Sequence, residues 1–334
     1  MSTMDGGAFS RVYAFHDLRI DVIAPEAVQA ALHARLGRFA SASPAQPVQS
    51  DLSFNYVRVE PGAPHAIERP LRARPVYDSK LGEVVYSDDE DRLFISCAAP
   101  IRVACDPGPG GTTLQIAAGD GEHLWLLAHP LFTLPLIESL KRRGLYSIHA
   151  AAVADGDRCV LFPGGSGAGK STIALALLRA GFSFLGDDMQ FLIRRAGGLR
   201  VLAFPETFDL TDDTVRLFPE LHVLLEEKKM PGWPKRQFRG EERFGAPIAW
   251  ECRPAALVFP HVANTGRSSL LPLDPGEALL ELAPNILLTE PVSSQAHLDA
   301  LAELVAACPC YRLETGSDFA DLADRIRELT AVSE

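Results

Sequence analysis

Apolar and polar positions change rhythm along the chain, and each rhythm predicts an element. Over residues 25–39 the apolar side chains Val28, Leu32 and Leu36 recur at helical spacing and share one face. A polar link rich in Ala, Ser, Pro and Gln follows at 40–50. Beyond it come short runs at 52–59, 83–86, 92–96, 101–104 and 113–116, parted by turn-forming clusters such as 87–91 and 106–111. Their spacing predicts a small antiparallel sheet. Residues 124–143 read as a helical segment broken or kinked by its prolines.

The second half is organised differently. An apolar run at 146–153 passes through Asp155, Gly156 and Asp157 into another at 158–162, which predicts a β-hairpin. Residues 172–180 are mostly good helix formers and end at Gly181, a C-cap residue. A strand is predicted at 182–185, running into Gly186, Asp187 and Asp188, and a second hairpin around Ala196, Gly197 and Gly198. Residues 225–245 are charged and rich in Gly, Pro and Arg, and read as an exposed loop. A central strand is predicted at 254–259, then helices at 275–282, 295–307 and 319–329 with a strand at 311–313. The pattern predicts an α/β protein, with an N-terminal β-rich α+β domain at 1–140 and a second domain at 141–334.

Composition narrows the function classes. With 32 Lys and Arg against 43 Asp and Glu in 334 residues, the net charge is −11. An acidic surface repels a polyanionic backbone, so nucleic acid is not expected as a partner. The six cysteines are scattered; Cys308 and Cys310 are close, but no second pair completes a zinc site. Cys159 is expected to be a small buried thiol, and the cysteine pattern suits a reducing cytoplasm. No signal-peptide pattern opens the chain, and the most apolar stretch, 124–137, is too short to span a bilayer, so no membrane association is expected. His16 and His65 are isolated and are expected at the surface.

The candidate chemistry lies between 149 and 188. Gly164, Gly165, Ser166, Gly167, Ala168, Gly169, Lys170 and Ser171 fit the phosphate-loop pattern G-x-x-x-x-G-K-[ST], between a predicted strand and a predicted helix that opens with Thr172. That setting points backbone N–H groups and a helix N-terminus at a phosphate. The motif predicts binding of a nucleoside triphosphate, with Lys170 on the β- and γ-phosphates and the Ser171 hydroxyl on Mg²⁺. Asp187 and Asp188 end the next strand and should face the same rim. One carboxylate there can hold a hard cation and the other can take a proton from an attacking hydroxyl. His149 either orients a carboxylate or touches the transferred group, or is a satisfied histidine of the sheet; spacing leaves both open.

Taken together, His149 with the alanines that follow it, the loop from Gly164 to Thr172, Gly181, and Gly186 with Asp187 and Asp188 resemble the catalytic core of the HPr kinase/phosphorylase family. The resemblance implies the phosphate-loop sheet shared with phosphoenolpyruvate carboxykinases. It implies that Lys170 contacts nucleotide phosphates, Ser171 binds Mg²⁺, Asp187 is the base, Asp188 assists at the metal and His149 lies beside the transferred group. It further implies an ATP- and Mg²⁺-dependent kinase acting on a hydroxyl, a serine of a peptide or small protein. Gly165 stands where the family carries an acidic residue, and 204–208 replace the family's glycine-rich signature. The N-terminal half does not resemble the family's regulatory domain, and the chain is more similar to divergent members such as kinases of lasso-peptide precursors. A small-metabolite kinase and a nucleotide-binding module without transfer activity remain alternative readings, and assembly into a homo-oligomer stays open. The segment 228–239 mixes aromatic and cationic residues; it reads either as a lid, with Lys235 and Arg236 as phosphate contacts, or as a solvated charged loop.

Overall fold

The computed structural model describes residues 8–40, 50–59, 67–79, 82–97, 101–108, 111–117, 124–128, 130–229, 233–316 and 318–331. Most of the polar link (41–49), His65 and the middle of the expected lid (230–232) lie outside them. The contacts divide the chain into two units: Met1–Arg143 with Leu287–Ser294, and Gly144–Ile286 with Gln295–Glu334. By contacts the first unit runs to Arg143 and takes back Leu287–Ser294.

The first unit is built on one sheet. Its strands are β1 (Phe9–Phe15), β2 (Leu18–Ala24), β3 (Leu52–Val59), β4 (Arg74–Ser79), β5 (Gly82–Ser87), β6 (Arg92–Cys97), β7 (Arg102–Asp106) and β8 (Gly111–Ala117). They lie in the order β1-β2-β3-β8-β7-β6-β5-β4. The sheet is mixed, not antiparallel as expected: β2 and β3, and β3 and β8, run parallel. Local alternation predicts a strand and its buried face, but not the direction of a partner brought in by a long connection. The alternation itself is kept, with Ile20, Val22 and Ala24 of β2 and Leu52, Phe54 and Tyr56 of β3 buried. The helices of this unit are α1 (Glu26–Leu36), α2 (Leu124–Ala128) and α3 (Thr133–Lys141). Val28, Leu32 and Leu36 are the buried apolar face of α1. His16 sits in the β1–β2 turn with a positive φ.

In the second unit the strands are β9 (Tyr146–Ile148), β10 (Ala150–Asp155), β11 (Arg158–Pro163), β12 (Ser183–Gly186), β13 (Gln190–Arg195), β14 (Gly198–Leu202), β15 (Phe208–Leu210), β16 (Arg236–Phe238), β17 (Glu251–Thr265), β18 (Ser269–Pro272) and β19 (Cys310–Gly316). The helices are α4 (Lys170–Arg179), α5 (Asp212–Arg216), α6 (Gly240–Phe244), α7 (Pro275–Leu282), α8 (Pro291–Ala307, counted here from Gln295 on) and α9 (Phe319–Thr330). The large sheet runs β12-β10-β11-β17-β14-β13-β9, with β19 also on β17 and β18 on β19. β17 is the central strand, parallel to β11 and β19.

Strands β10 and β11 are apolar on both faces because both are covered. Ala151, Val153, Val160 and Phe162 pack in a core with residues of α4 and α9. Ala150, Ala152, Ala154, Cys159 and Leu161 pack in a second core with residues of α7 and α8. The result is a layered α/β arrangement. The expected exposed loop at 225–245 instead contains β16, paired with β15, and helix α6.

Candidate functional site

The site is built where β11 gives way to α4. Gly167 and Gly169 have φ of 87° and 99°, a conformation that favours glycine, and Gly169 is the residue before the first turn of α4. The loop tip, Gly165 to Gly167, is exposed, while Lys170 is buried. Its ammonium returns to its own loop, donating to the Gly164 carbonyl at 2.7 Å and the Gly165 carbonyl at 3.2 Å. It also meets His149 Nε2 at 3.1 Å.

His149 occupies the single residue between β9 and β10, where the chain changes partners. β9 pairs with β13, whereas β10 pairs with β11 and β12. An ammonium has donors only, so His149 Nε2 accepts and the ring proton resides on Nδ1. That nitrogen faces Asp188 Oδ1 at 3.4 Å. Asp188, His149 and Lys170 therefore form one chain of contacts.

Strands β11 and β12 both run antiparallel to β10, so their C-terminal ends share a rim. That rim brings Asp187 and Asp188 to the glycine loop. Ser171 Oγ donates to Asp187 Oδ2 at 2.9 Å. Asp187 is buried, and its Oδ1 has no hydrogen-bond partner among the described residues. Burial, and after it the Asp188 charge, push the Asp187 carboxyl up to about 7, against the lowering effects of the Ser171 hydroxyl and Lys170. Burial also holds His149 and Lys170 below their ordinary values.

The sequence-predicted residues His149, Gly164, Gly165, Lys170, Ser171, Asp187 and Asp188 are thus joined by direct contacts. Ser166, Gly167, Ala168 and Gly169 complete the loop, and Thr172 lies in the first turn of α4. Among the described residues no group of three or more His, Cys, Asp or Glu is arranged to hold a metal. The hydroxyl of Ser171 and the two carboxylates are nevertheless hard oxygen donors, and the buried, unpartnered Asp187 Oδ1 adds to a set that fits Mg²⁺.

Lys235, named from the sequence, and Asp209, which was not, also act on this site. The Lys235 charge lowers both His149 and Lys170, and the Asp209 charge raises Asp187. Asp209 had no signal in the sequence, since its place depends on the β15–β16 pairing. Arg236, expected as a phosphate contact, is instead spent on structure. Its guanidinium donates to the Leu224, Leu225 and Glu227 carbonyls and to Asp212, closing the 3₁₀ helix Pro219–Leu225.

No protein-family model matches the chain, and no curated protein matches it. Among solved structures, the Hpr(Ser) kinase/phosphatase from Coxiella burnetii is similar at 16% sequence identity and a TM-score of 0.27. The match covers 55% of this chain and 96% of that one. A likeness at that TM-score assigns no role to any residue.

Proposed function

We propose that the chain is a kinase that moves the γ-phosphoryl group of ATP to a hydroxyl. One observation carries the reading: the Ser171 hydroxyl is bonded to a buried carboxylate, Asp187, at the rim where the glycine loop and Lys170 lie. Binding a nucleotide needs the loop and the lysine, whereas transfer also needs a base beside them.

In this reading the backbone N–H groups of Gly165, Ser166, Gly167, Ala168 and Gly169 receive the phosphates. Lys170 exchanges its loop carbonyls for phosphate oxygens. Ser171 and Asp188 would hold Mg²⁺, which when bound offsets phosphate charge. Asp187 takes the proton of the acceptor hydroxyl. The acceptor oxygen then bonds to the γ-phosphorus while the bond from that phosphorus to the bridging oxygen breaks, and ADP leaves with the electron pair. A base near 7 suits proton abstraction at neutral pH. His149, fixed between Lys170 and Asp188, holds both groups in register.

The sequence resemblance points to a serine of a peptide or small protein as acceptor. Incubation with ATP, Mg²⁺ and candidate peptides should add the mass of one phosphate. If a free metabolite is modified and no peptide or HPr-like protein is, the peptide acceptor falls. Lys170→Ala should weaken ATP binding in calorimetry and abolish transfer; unchanged ATP affinity would sink the nucleotide assignment.

A further inference from the structure

The ribbon of β15 and β16 supplies no group that takes the acceptor proton or holds Mg²⁺ in the mechanism above, yet it is fastened to the elements that carry that mechanism. The Phe208 ring of β15 stacks on Phe184 of β12 with centroids 5.0 Å apart. Gly240, just beyond β16, lies so close to the Phe208 ring and to Leu175 of α4 that a β-carbon there would sit 2.6 Å from one and 3.0 Å from the other. β12 leads into Asp187 and Asp188, and α4 begins with Lys170.

Within this ribbon one carboxylate grips both flanks of a lysine. Asp209 Oδ1 accepts from Trp233 Nε1 at 3.1 Å and from Gln237 Nε2 at 3.3 Å. These donors stand two residues before and two residues after Lys235. Arg236, the next residue, is held by the three carbonyls and Asp212 described above. The backbone around Lys235 is therefore fixed from both sides.

We propose that Asp209 is a positioning residue that holds Lys235 at the phosphate end of the site, where its ammonium neutralises the phosphoryl group in transfer. The proposal rests on the kinase reading. The Lys235 charge already acts on Lys170 and His149, though less than burial does. During transfer Asp187 gains the acceptor proton, the acceptor oxygen–phosphorus bond forms, and the bridging phosphorus–oxygen bond breaks with its pair going to ADP. The non-bridging oxygens remain charged throughout, and a cation already in place stabilises them without reorganising.

The test compares kcat and the ATP Kd for Lys235→Ala, Asp209→Ala, Asp209→Asn and the double alanine variant. Lys235→Ala should lower kcat about 10²-fold, the scale of losing one prearranged donor. Asp209→Ala should lower it roughly tenfold through misplacement, with the ATP Kd within about twofold. The double variant should be no slower than Lys235→Ala alone. Asp209→Asn, whose amide oxygen can accept both N–H groups, should restore near-parental kcat.

Parental kcat in Asp209→Ala, multiplying losses in the double variant, or an Asp209→Asn as slow as the alanine would each overturn the proposal. The Trp233 indole N–H resonance, assigned through Trp233→Phe, gives a readout independent of turnover. It should move in Asp209→Ala and stay in Asp209→Asn; an unmoved resonance in Asp209→Ala removes the clamp. A parental protein that binds no ATP overturns the kinase reading and this proposal together. Turnover in the parent with an indifferent Asp209 overturns the proposal alone.

Discussion

Asp187 is held in a setting that disfavours its charge and yet, in the proposed mechanism, must be charged to work. Removing the base while keeping the shape, as Asp187→Asn does, should cost about 10²–10⁴ in transfer rate with little change in ATP binding. Parental turnover in that variant would remove the base assignment. The same raised pKa fixes the sign of two pH effects. Activity should rise with pH through about 7 as the carboxyl ionises. Stability should move the other way: a group whose folded pKa lies above its unfolded value binds its proton more tightly when folded. Its contribution is fully present below the unfolded value of 3.8 and is lost as pH rises through about 7. Asp187→Asn should therefore raise Tm relative to the parent most at pH 8, with the difference shrinking steadily as pH falls from about 7 toward 3.8. A Tm difference independent of pH would show that Asp187 ionises without penalty.

At the scale of elements, the rim depends on how β12 ends. A β-carbon on Gly186 would meet the Gln190 amide nitrogen at 2.4 Å, the Phe204 carbonyl oxygen at 2.6 Å and the Met189 carbonyl oxygen at 3.0 Å. Two of these are backbone atoms that cannot swing aside. Gly186→Ala should therefore destabilise the protein by about 1–3 kcal/mol, the usual cost of overpacking, and shift Asp187 enough to slow transfer. Chemical denaturation and kcat check it together, and an unaffected variant would mean that the chain there yields easily. Much at this scale was legible in the sequence. The runs at 52–59 and 158–162 turned out as single strands because alternation and a two-residue turn are local properties, whereas the run at 146–153 is divided at His149 into β9 and β10. The Ser171–Asp187 contact follows from the order strand, loop, helix, strand, whereas spacing left the place of His149 open and the structure sets it against Lys170. The parallel pairing of β3, the β15–β16 ribbon and the Asp209 clamp were not legible, since each joins segments whose register no local pattern records.

At the scale of the whole molecule, every residue of the candidate site falls in Gly144–Ile286, while the first unit reclaims Leu287–Ser294. The reclaimed segment is held by an ion pair with no solvent exposure. Lys141 Nζ lies 2.9 Å from Glu138 Oε2 and donates to the Leu287 carbonyl at 2.7 Å and to Thr289 Oγ1 at 2.6 Å. Arg142 also contacts Glu138, at 2.9 Å, and Thr289 Oγ1 donates to the same carboxylate at 2.8 Å. Burial lowers the Lys141 pKa, with Glu138 opposing that shift, so the pair survives by mutual compensation. Breaking a buried pair from one side leaves the other charge stranded and typically costs about 3–5 kcal/mol. Lys141→Met should approach that range, moderated by the Arg142 contact that remains. Replacing both members, Lys141→Met with Glu138→Leu, should recover part of the loss, because neither charge of the pair is then stranded and Arg142 keeps Asp91 at 2.7 Å, although Thr289 Oγ1 loses its acceptor. Thermal and denaturant unfolding of the two variants decides the matter. If the double variant is as unstable as the single one, the segment is held by the polar network as a whole and not by compensation within the pair.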